Sequence, residues 1–256
     1  MTEPWQPTVD DGGAPVLERA AIEELLRHGE LDVIGRLVDA SNATLFCEVS
    51  LGGLTARCVH KPVAGERPLW DFPDGTLAAR EVATYLVSES SGWGLVPPTV
   101  LREGPFGPGM CQLWVEVDEE VDLSFLARSD HPDLARLVVL DAVVNNADRK
   151  GGHLLPREDG RVQGIDHGLT FSSDDKLRTL LWQWRGVPLP DEAFEVLQSL
   201  DDQLGDRLDG PLAAALRDLL APAEVKRTRT RVRRLLRSGS YPVPSGDWPP
   251  VPWPPF

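Results

Sequence analysis

Three side chains between positions 139 and 171 have the types and spacing for a group-transfer reaction. Asp148 stands in Asn146-Ala147-Asp148-Arg149, and His153 follows it by five residues. Asp166 stands in Gly164-Ile165-Asp166-His167-Gly168. Between them, Leu154 to Val162 holds Pro156, Asp159 and Gly160, residue types that reverse a chain between two short strands. Such a hairpin brings Asp148, His153 and Asp166 to one end of a small sheet. One carboxylate can then orient an attacking hydroxyl while the other carboxylate and the imidazole hold a divalent cation. That division of labour is the one phosphoryl transfer from Mg-ATP requires. Gly168 lets the chain turn sharply after Asp166. The plainer alternative is an internal Asp148–Arg149 ion pair and a turn closed by Asp166. Asp-x-Gly alone is common. Asn-x-Asp-Arg followed eighteen residues later by Ile-Asp-x-Gly, between apolar runs, is a more specific pattern.

Phosphoryl transfer also needs a fixed cation for the nucleotide phosphates. Lys61 ends a strand-like run, Val59-His60-Lys61-Pro62, and Glu81 lies in the helical run after it. A strand lysine held by a helix glutamate is the ion pair expected of kinases. Glu81 on a solvated helix face is the alternative. The phosphate-covering turn is the weakest feature. Ser41-Asn42-Ala43-Thr44 contains no glycine, and neither GxGxxG nor GxxxxGK[ST] occurs in the chain. This turn, with Ser41 and Asn42, would grip phosphate through its backbone N–H groups and the Ser41 or Thr44 hydroxyl. In the run Met110 to Glu116, the backbone of Trp114 and Val115 is placed to pair with an adenine edge, or is simply a buried crossing.

These residues need elements to position them. The spacing predicts a helix over 16–28, then strands over 31–38, 43–50 and 54–62 separated by Asp39-Ala40-Ser41-Asn42 and Leu51-Gly52-Gly53. A proline- and glycine-rich loop over 62–75 leads to a helix over 76–90, with Thr76 in the N-cap position and Ser91-Gly92 at its end. Strands are predicted over 96–101 and 110–117, and helices over 132–144, 176–185, 191–204 and 211–220. The chain therefore divides into a disordered stretch 1–15, a strand-rich N-lobe 16–117, a helical C-lobe 118–238 carrying the motifs, and a Pro/Trp-rich tail 239–256. The fold class is α+β, a two-lobed protein-kinase-like arrangement.

The composition supports a folded core: 41 % of the 256 residues are apolar. The net charge of −14 sets up a field that repels nucleic acid and anionic membrane. The run 224–237 opposes that field, with seven Lys or Arg between 226 and 237. Its narrow apolar stripe of Val225, Val232, Leu235 and Leu236 favours folding back on acidic surface over reaching for an external polyanion such as anionic lipid or nucleic acid. The tail after it is too proline-rich for helix and too apolar to float freely. Cys47, Cys58 and Cys111 read as buried free thiols, and His60, His131 and His167 as structural. Trp182 and Trp184 read as packing residues, with lining a pocket as the alternative. The acidic start of the chain is unlike a signal peptide and no run is long enough to span a bilayer, so a cytoplasmic protein is expected.

LDAVVNNADR followed by GIDHGLTF resembles the catalytic and metal-binding segments of the phosphatidylinositol 3-/4-kinase superfamily, the type II phosphatidylinositol 4-kinases above all. VHKP is similar to that family's nucleotide-holding lysine segment, LAAREVATYLV to the helix after it, and GMCQLWVE to its hinge. HipA-like protein kinases share the layout, and an actinobacterial group has the same Pro/Trp-ended tail. The resemblance covers about residues 40 to 190. It implies ATP and Mg²⁺ or Mn²⁺ as cofactors, Lys61 on the ATP phosphates, Asp148 as the catalytic aspartate and Asp166 as the metal aspartate. One position departs: the family has Asn five residues after the catalytic Asp, and here His153 stands there. Magnesium prefers oxygen donors to imidazole. The expected activity is transfer of the γ-phosphate to a hydroxyl of a lipid, a protein or a small molecule. Two alternatives are a nucleotide-binding module with little transfer activity and transfer of the nucleotide itself. Membrane contact is not favoured.

Overall fold

The computed structural model describes residues 18–37 and 42–256. The expectations for residues 1–15, for the turn at 39–41 and for Ser41 lie outside the described residues. In chain order the elements are α1 (Arg19–His28), β1 (Glu30–Leu37), β2 (Thr44–Leu51), β3 (Leu54–Pro62), α2 (Leu77–Ser91), β4 (Thr99–Gly104) and β5 (Gly107–Leu113). There follow α3 (Leu123–Leu126), α4 (Pro132–Val144), β6 (Leu154–Pro156), β7 (Val162–Gly164), α5 (Asp191–Leu204), α6 (Pro211–Arg217) and α7 (Pro222–Ser238). The chain forms two compact units, one of residues up to Val82 with Pro97–Glu116, the other of Ala83–Val96 with Val117–Phe256.

The first unit is a five-stranded antiparallel sheet in the order β1-β2-β3-β5-β4. Strand alternation assigns the faces. Along β3, Ala56, Cys58, His60 and Pro62 are buried, while Lys61 belongs to the other face. The buried face lies under α1, whose Ile22, Leu25 and Leu26 meet Cys47, Val49, Cys58, Val100 and Cys111. All three thiols are free and buried. Distant in sequence, they are neighbours here: Cys47 is the register partner of Cys58, and Cys58 lies within hydrogen-bonding reach of both other thiols. Hydrogen bonds to Cys111 and Cys47, with burial, push the Cys58 thiol pKa up, so it stays protonated. The buried His60 donates from Nδ1 to the Met110 carbonyl, and burial lowers its pKa.

Two expectations for this unit need correction. The strands expected at 96–101 and 110–117 are displaced to Thr99–Gly104 and Gly107–Leu113. Pro97 and Pro98 cannot donate to a ladder, and the segment 102–109 closes as a hairpin at Gly107, which takes φ +89°. The second concerns Thr76. It does stand in the N-cap position, its carbonyl accepting the Arg80 N–H, but its hydroxyl donates to the Pro73 carbonyl instead of capping α2. The first amides of the helix, from Leu77 and Ala78, donate to the two carboxylate oxygens of Glu66 at 3.2 and 2.9 Å. A charge eleven residues upstream thus caps α2 and meets the positive end of its dipole. Glu66→Ala should cost about 1 kcal/mol, the usual loss of a cap. In thermal unfolding that is a fall of about 2–4 °C. No change would mean solvent serves those amides equally well.

The second unit packs α4, α5, α6 and α7 around Leu134, Leu137, Leu197, Leu200, Leu216, Val225, Val232 and Leu235. α7 is the basic run, and its cations meet acidic partners in the same unit. Arg229 and Arg233 bind Asp201 and Asp206, and Arg234 binds Asp175. β6 and β7 form the expected hairpin, with Leu154 opposite Gly164 and Gly160 at φ +76° in the turn. α6 stops at Arg217, three residues short of expectation. The helix expected over 176–185 does not form. Its backbone is used elsewhere: Arg178 N–H donates to the Asn146 carbonyl, Leu180 N–H to the Arg149 carbonyl and Thr179 N–H to the Pro250 carbonyl. Long-range pairing on both sides outweighs the local apolar period. Among the described residues no helix is long and apolar enough to cross a membrane.

Candidate active site

α4 delivers the chain to the first motif and must stop there. Asn145 ends it in the left-handed conformation (φ 56°, ψ 52°), which Asn tolerates better than most residues. The Asn145 amide donates to the carbonyls of Ser172 and Asp174 and accepts the Lys176 N–H. Two further backbone bonds tie the motifs together. Ala147 N–H donates to the Leu169 carbonyl at 2.9 Å, and Phe171 N–H to the Val144 carbonyl at 2.6 Å.

Arg149 is the centre of this arrangement, although its residue type alone did not announce it. The guanidinium and its partner Asp141 are both 0 % exposed. Arg149 Nε and Nη2 donate to the two oxygens of Asp141, each at 2.9 Å. Nη1 donates to the carbonyls of His153 and Ile165, and Nη2 also reaches His167 Nε2. One cation therefore binds α4, the turn after Asp148 and the approach to Asp166. Asn146 completes the cluster by donating its amide to Asp141 Oδ1. The internal Asp148–Arg149 pair weighed from sequence is absent, because Arg149 points inward to Asp141.

Asp148 turns the other way. Its N–H is held by the Asn146 side chain, and its Oδ2 lies 3.0 Å from Lys150 Nζ, both side chains partly exposed. Lys150 is a second site cation that the sequence reading passed over; its position two residues beyond Asp148 was the available signal. A 3-10 turn, Gly151–His153, then sets His153 at the start of β6. Ile165 N–H donates to the His153 carbonyl, so the residue after Ile165 falls beside the imidazole. His153 Nε2 is 3.3 Å from Asp166 Oδ2. The imidazole side chain is 13 % exposed and the Asp166 carboxylate 42 %. Asp166 sits at φ +60°, which swings its carboxylate out of the strand direction. Burial lowers the His153 pKa, with Asp166 opposing, so the ring is neutral at pH 7.

The first unit holds the other expected group. Lys61 Nζ donates to Glu81 Oε1 at 2.6 Å, with Glu81 almost wholly buried. Asn42 accepts the Arg67 N–H on its side-chain oxygen, which fastens the start of β2 to the loop after β3. Trp114 follows the end of β5; its N–H donates to the Arg57 carbonyl and its ring packs edge-on against Phe46. Val115, next along, makes no backbone hydrogen bond with the described residues.

The donor set can be tested against Mg-ATP chemistry. Among the described residues no cluster of three or more His, Cys, Asp or Glu side chains is placed to hold a metal ion. The Asp166/His153 pair offers one oxygen and one nitrogen. That fits a cation that takes its remaining ligands from phosphate oxygens and water, as nucleotide-bound Mg²⁺ does. The Lys150 N–H lies 3.4 Å from His153 Nδ1, which places the ring proton on Nε2 facing Asp166. To act as a ligand His153 must move that proton to Nδ1.

Protein Rv2133c of Mycobacterium tuberculosis (strain ATCC 25618 / H37Rv) is 45 % identical over 267 aligned positions, covering 91 % of this chain and 94 % of that protein. The chain belongs to the Rv2133c family. No protein-family model matches it. Among solved structures, the Golgi casein kinase with Mn/ADP bound is similar at a TM-score of 0.58 and 14 % identity, over 89 % of this chain and 80 % of that one. The structure of hydra Fam20 with sugar is similar at 0.56 and 11 %, over 87 % and 88 %. At such identities the likeness is one of fold. This member of the Rv2133c family thus has the kinase fold its motifs implied, α+β with a strand-rich N-terminal region and a mainly helical C-terminal region.

Proposed function

We propose that the chain is an ATP- and divalent-metal-dependent phosphotransferase of the phosphatidylinositol 3-/4-kinase-like type, acting on a hydroxyl of a lipid, protein or small molecule. The observation that carries this reading is the Lys61–Glu81 ion pair, a strand lysine 2.6 Å from a buried helix glutamate in a chain with a kinase fold. The ATP–metal complex, when bound, supplies the γ-phosphoryl group and the positive charge that offsets its oxygens. Lys61, aimed by Glu81, neutralises phosphate. Asp148 orients the acceptor hydroxyl and takes up its proton, with Lys150 beside it holding the carboxylate in place. Asp166 and His153 hold the cation. Asn42 and the backbone of Trp114 and Val115 are the proposed contacts to phosphate and adenine. The Mn/ADP bound to the Golgi casein kinase supports Mn²⁺ as a suitable ion, since His153 contributes nitrogen where Mg²⁺ prefers oxygen.

Paired assays with ATP labelled at the γ- and at the α-phosphate test the reading. Label from the γ-position alone should appear in product, more with Mn²⁺ than with Mg²⁺. His153→Asn should move that preference toward Mg²⁺ by about tenfold, since an amide oxygen replaces imidazole at the ligand position. Incorporation of α-label would make the chain a nucleotidyl transferase. Metal-independent binding with no transfer of either label would leave a nucleotide-binding module.

A further inference from the structure

The Pro/Trp-rich segment after α7 does more than cover apolar surface. Trp248 lies under Lys176, whose Nζ is 4.7 Å from the ring centroid. The Pro250 carbonyl accepts both the Thr179 N–H at 3.0 Å and the Trp182 indole N–H at 2.9 Å, and Arg178 Nε donates to the Pro249 carbonyl at 3.1 Å. Residues 178–180 in turn pair with the first motif through the parallel bridge between Arg149 and Thr179. The segment therefore backs the motif through one intervening strand-like layer. It then returns to the motif directly. Gly151 N–H donates to the Pro255 carbonyl at 2.8 Å, and the Phe256 ring rests on Gly151 so closely that a Cβ there would clash with the ring's edge carbons Cδ1 and Cε1.

That contact falls on the turn that presents His153. Gly151 opens the 3-10 turn, and the opening N–H of such a turn has no partner within it. Gly151 is buried beneath the Phe256 ring, and in that buried state the Pro255 carbonyl is the partner of its amide. Gly152, one residue on, has open space at its Cβ position. The two adjacent glycines thus differ in kind: the first is a seat for an aromatic ring and the second is not. We propose that residues 248–256 are a strap that sets the Gly151–His153 turn, and so fixes the His153 side of the cation site. This rests on the reading that Asp166 and His153 hold a divalent ion. Pro255 and Phe256 are positioning residues that act through the turn.

The two glycines supply the test. Gly151→Ala should displace the Phe256 ring, since its Cβ clashes with the ring's edge carbons, and Phe256→Ala should remove the ring without touching the motif. Gly152→Ala is the control. In the full chain, amide hydrogen exchange over residues 151–153 should be faster in the first two variants and unchanged in the third. The Mn²⁺ concentration that half-saturates nucleotide binding should rise about tenfold in the first two, the usual effect of loosening groups that support a ligand. Unchanged exchange in both would show that the strap does not hold the turn. Faster exchange with an unchanged Mn²⁺ requirement would separate the strap from the site. Equal weakening at every Mn²⁺ concentration, with a lower unfolding temperature, would reduce the segment to general stabilisation. If the native protein shows no Mn²⁺-dependent nucleotide binding, the proposed function falls, and the exchange comparison still decides whether the strap holds the turn.

Discussion

Asp166→Asn should lower metal-dependent nucleotide binding and phosphoryl transfer by at least about 100-fold, beyond what loosening a supporting group around a metal usually costs. The unfolding temperature should stay within about 2 °C of the native value, since the carboxylate is well exposed. The choice of asparagine matters. Asp166 sits at φ +60°, a conformation that Asn shares with Asp at little cost. Alanine there would add about 1–2 kcal/mol of backbone strain and confound loss of the ligand with loss of the loop. Asparagine keeps shape and backbone and removes only the charge and one acceptor oxygen. His153, 3.3 Å away, remains as a nitrogen donor. Titrating ATP with and without Mn²⁺ reads the effect, alongside a melt of each protein. Binding that keeps its native metal dependence would take Asp166 out of the site and move the search to Asp148.

Local chemistry made part of this legible before any coordinates. Asp159 and Gly160 between two short apolar runs encode their own reversal, and the hairpin 154–164 formed where those residues placed it. The Lys61–Glu81 contact followed from the kinase pattern of a strand lysine held by a glutamate in the next helix, given its weight by the motif stretch around Asp148 and Asp166. The alternation of β3 and the apolar stripe of α7 were equally visible. What escaped depends on partners far away in the chain. Glu66 caps a helix that begins eleven residues later, while Thr76, in the favoured position, turns to Pro73. Cys47, Cys58 and Cys111 become neighbours only once β2, β3 and β5 are paired. Residues 176–185 have a helical period yet form no helix: the first motif and the strap take the hydrogen bonds of 178–180, and 182–185 close a local turn. For Arg149 the sequence offered a partner only in the alternative reading, its neighbour Asp148. Which carboxylate a buried arginine chooses is set by burial, and burial is not a local property.

Breaking the Arg149–Asp141 pair should produce the largest loss of stability of any single change at the site. Both groups are 0 % exposed, and Asp141 accepts from Arg149 twice and from Asn146 once. Arg149→Met keeps the volume but strands a carboxylate in the core, takes the guanidinium from the Ile165 carbonyl, and leaves the His153 carbonyl with the Ile165 N–H alone. Removing one partner of a buried pair costs about 3–5 kcal/mol. For a chain of this size that is a fall of about 6–20 °C in unfolding temperature. Asp141→Leu should cost a similar amount, because it leaves the guanidinium buried without its counter-ion. The double variant removes both charges, and charge-free cores tolerate such replacements far better than half-broken pairs. It should therefore be more stable than either single variant. Stability and function should then part company. The double variant still lacks the donor that ties the His153 turn to the approach to Asp166, so its Mn²⁺-dependent nucleotide binding should remain weak even where the fold has recovered. Thermal melts of the four proteins with Mn²⁺ titrations beside them decide the matter. Additive losses in the double variant would show that Arg149 and Asp141 stabilise the unit separately. Native Mn²⁺ dependence in a recovered double variant would show that Arg149 holds the fold but not the site.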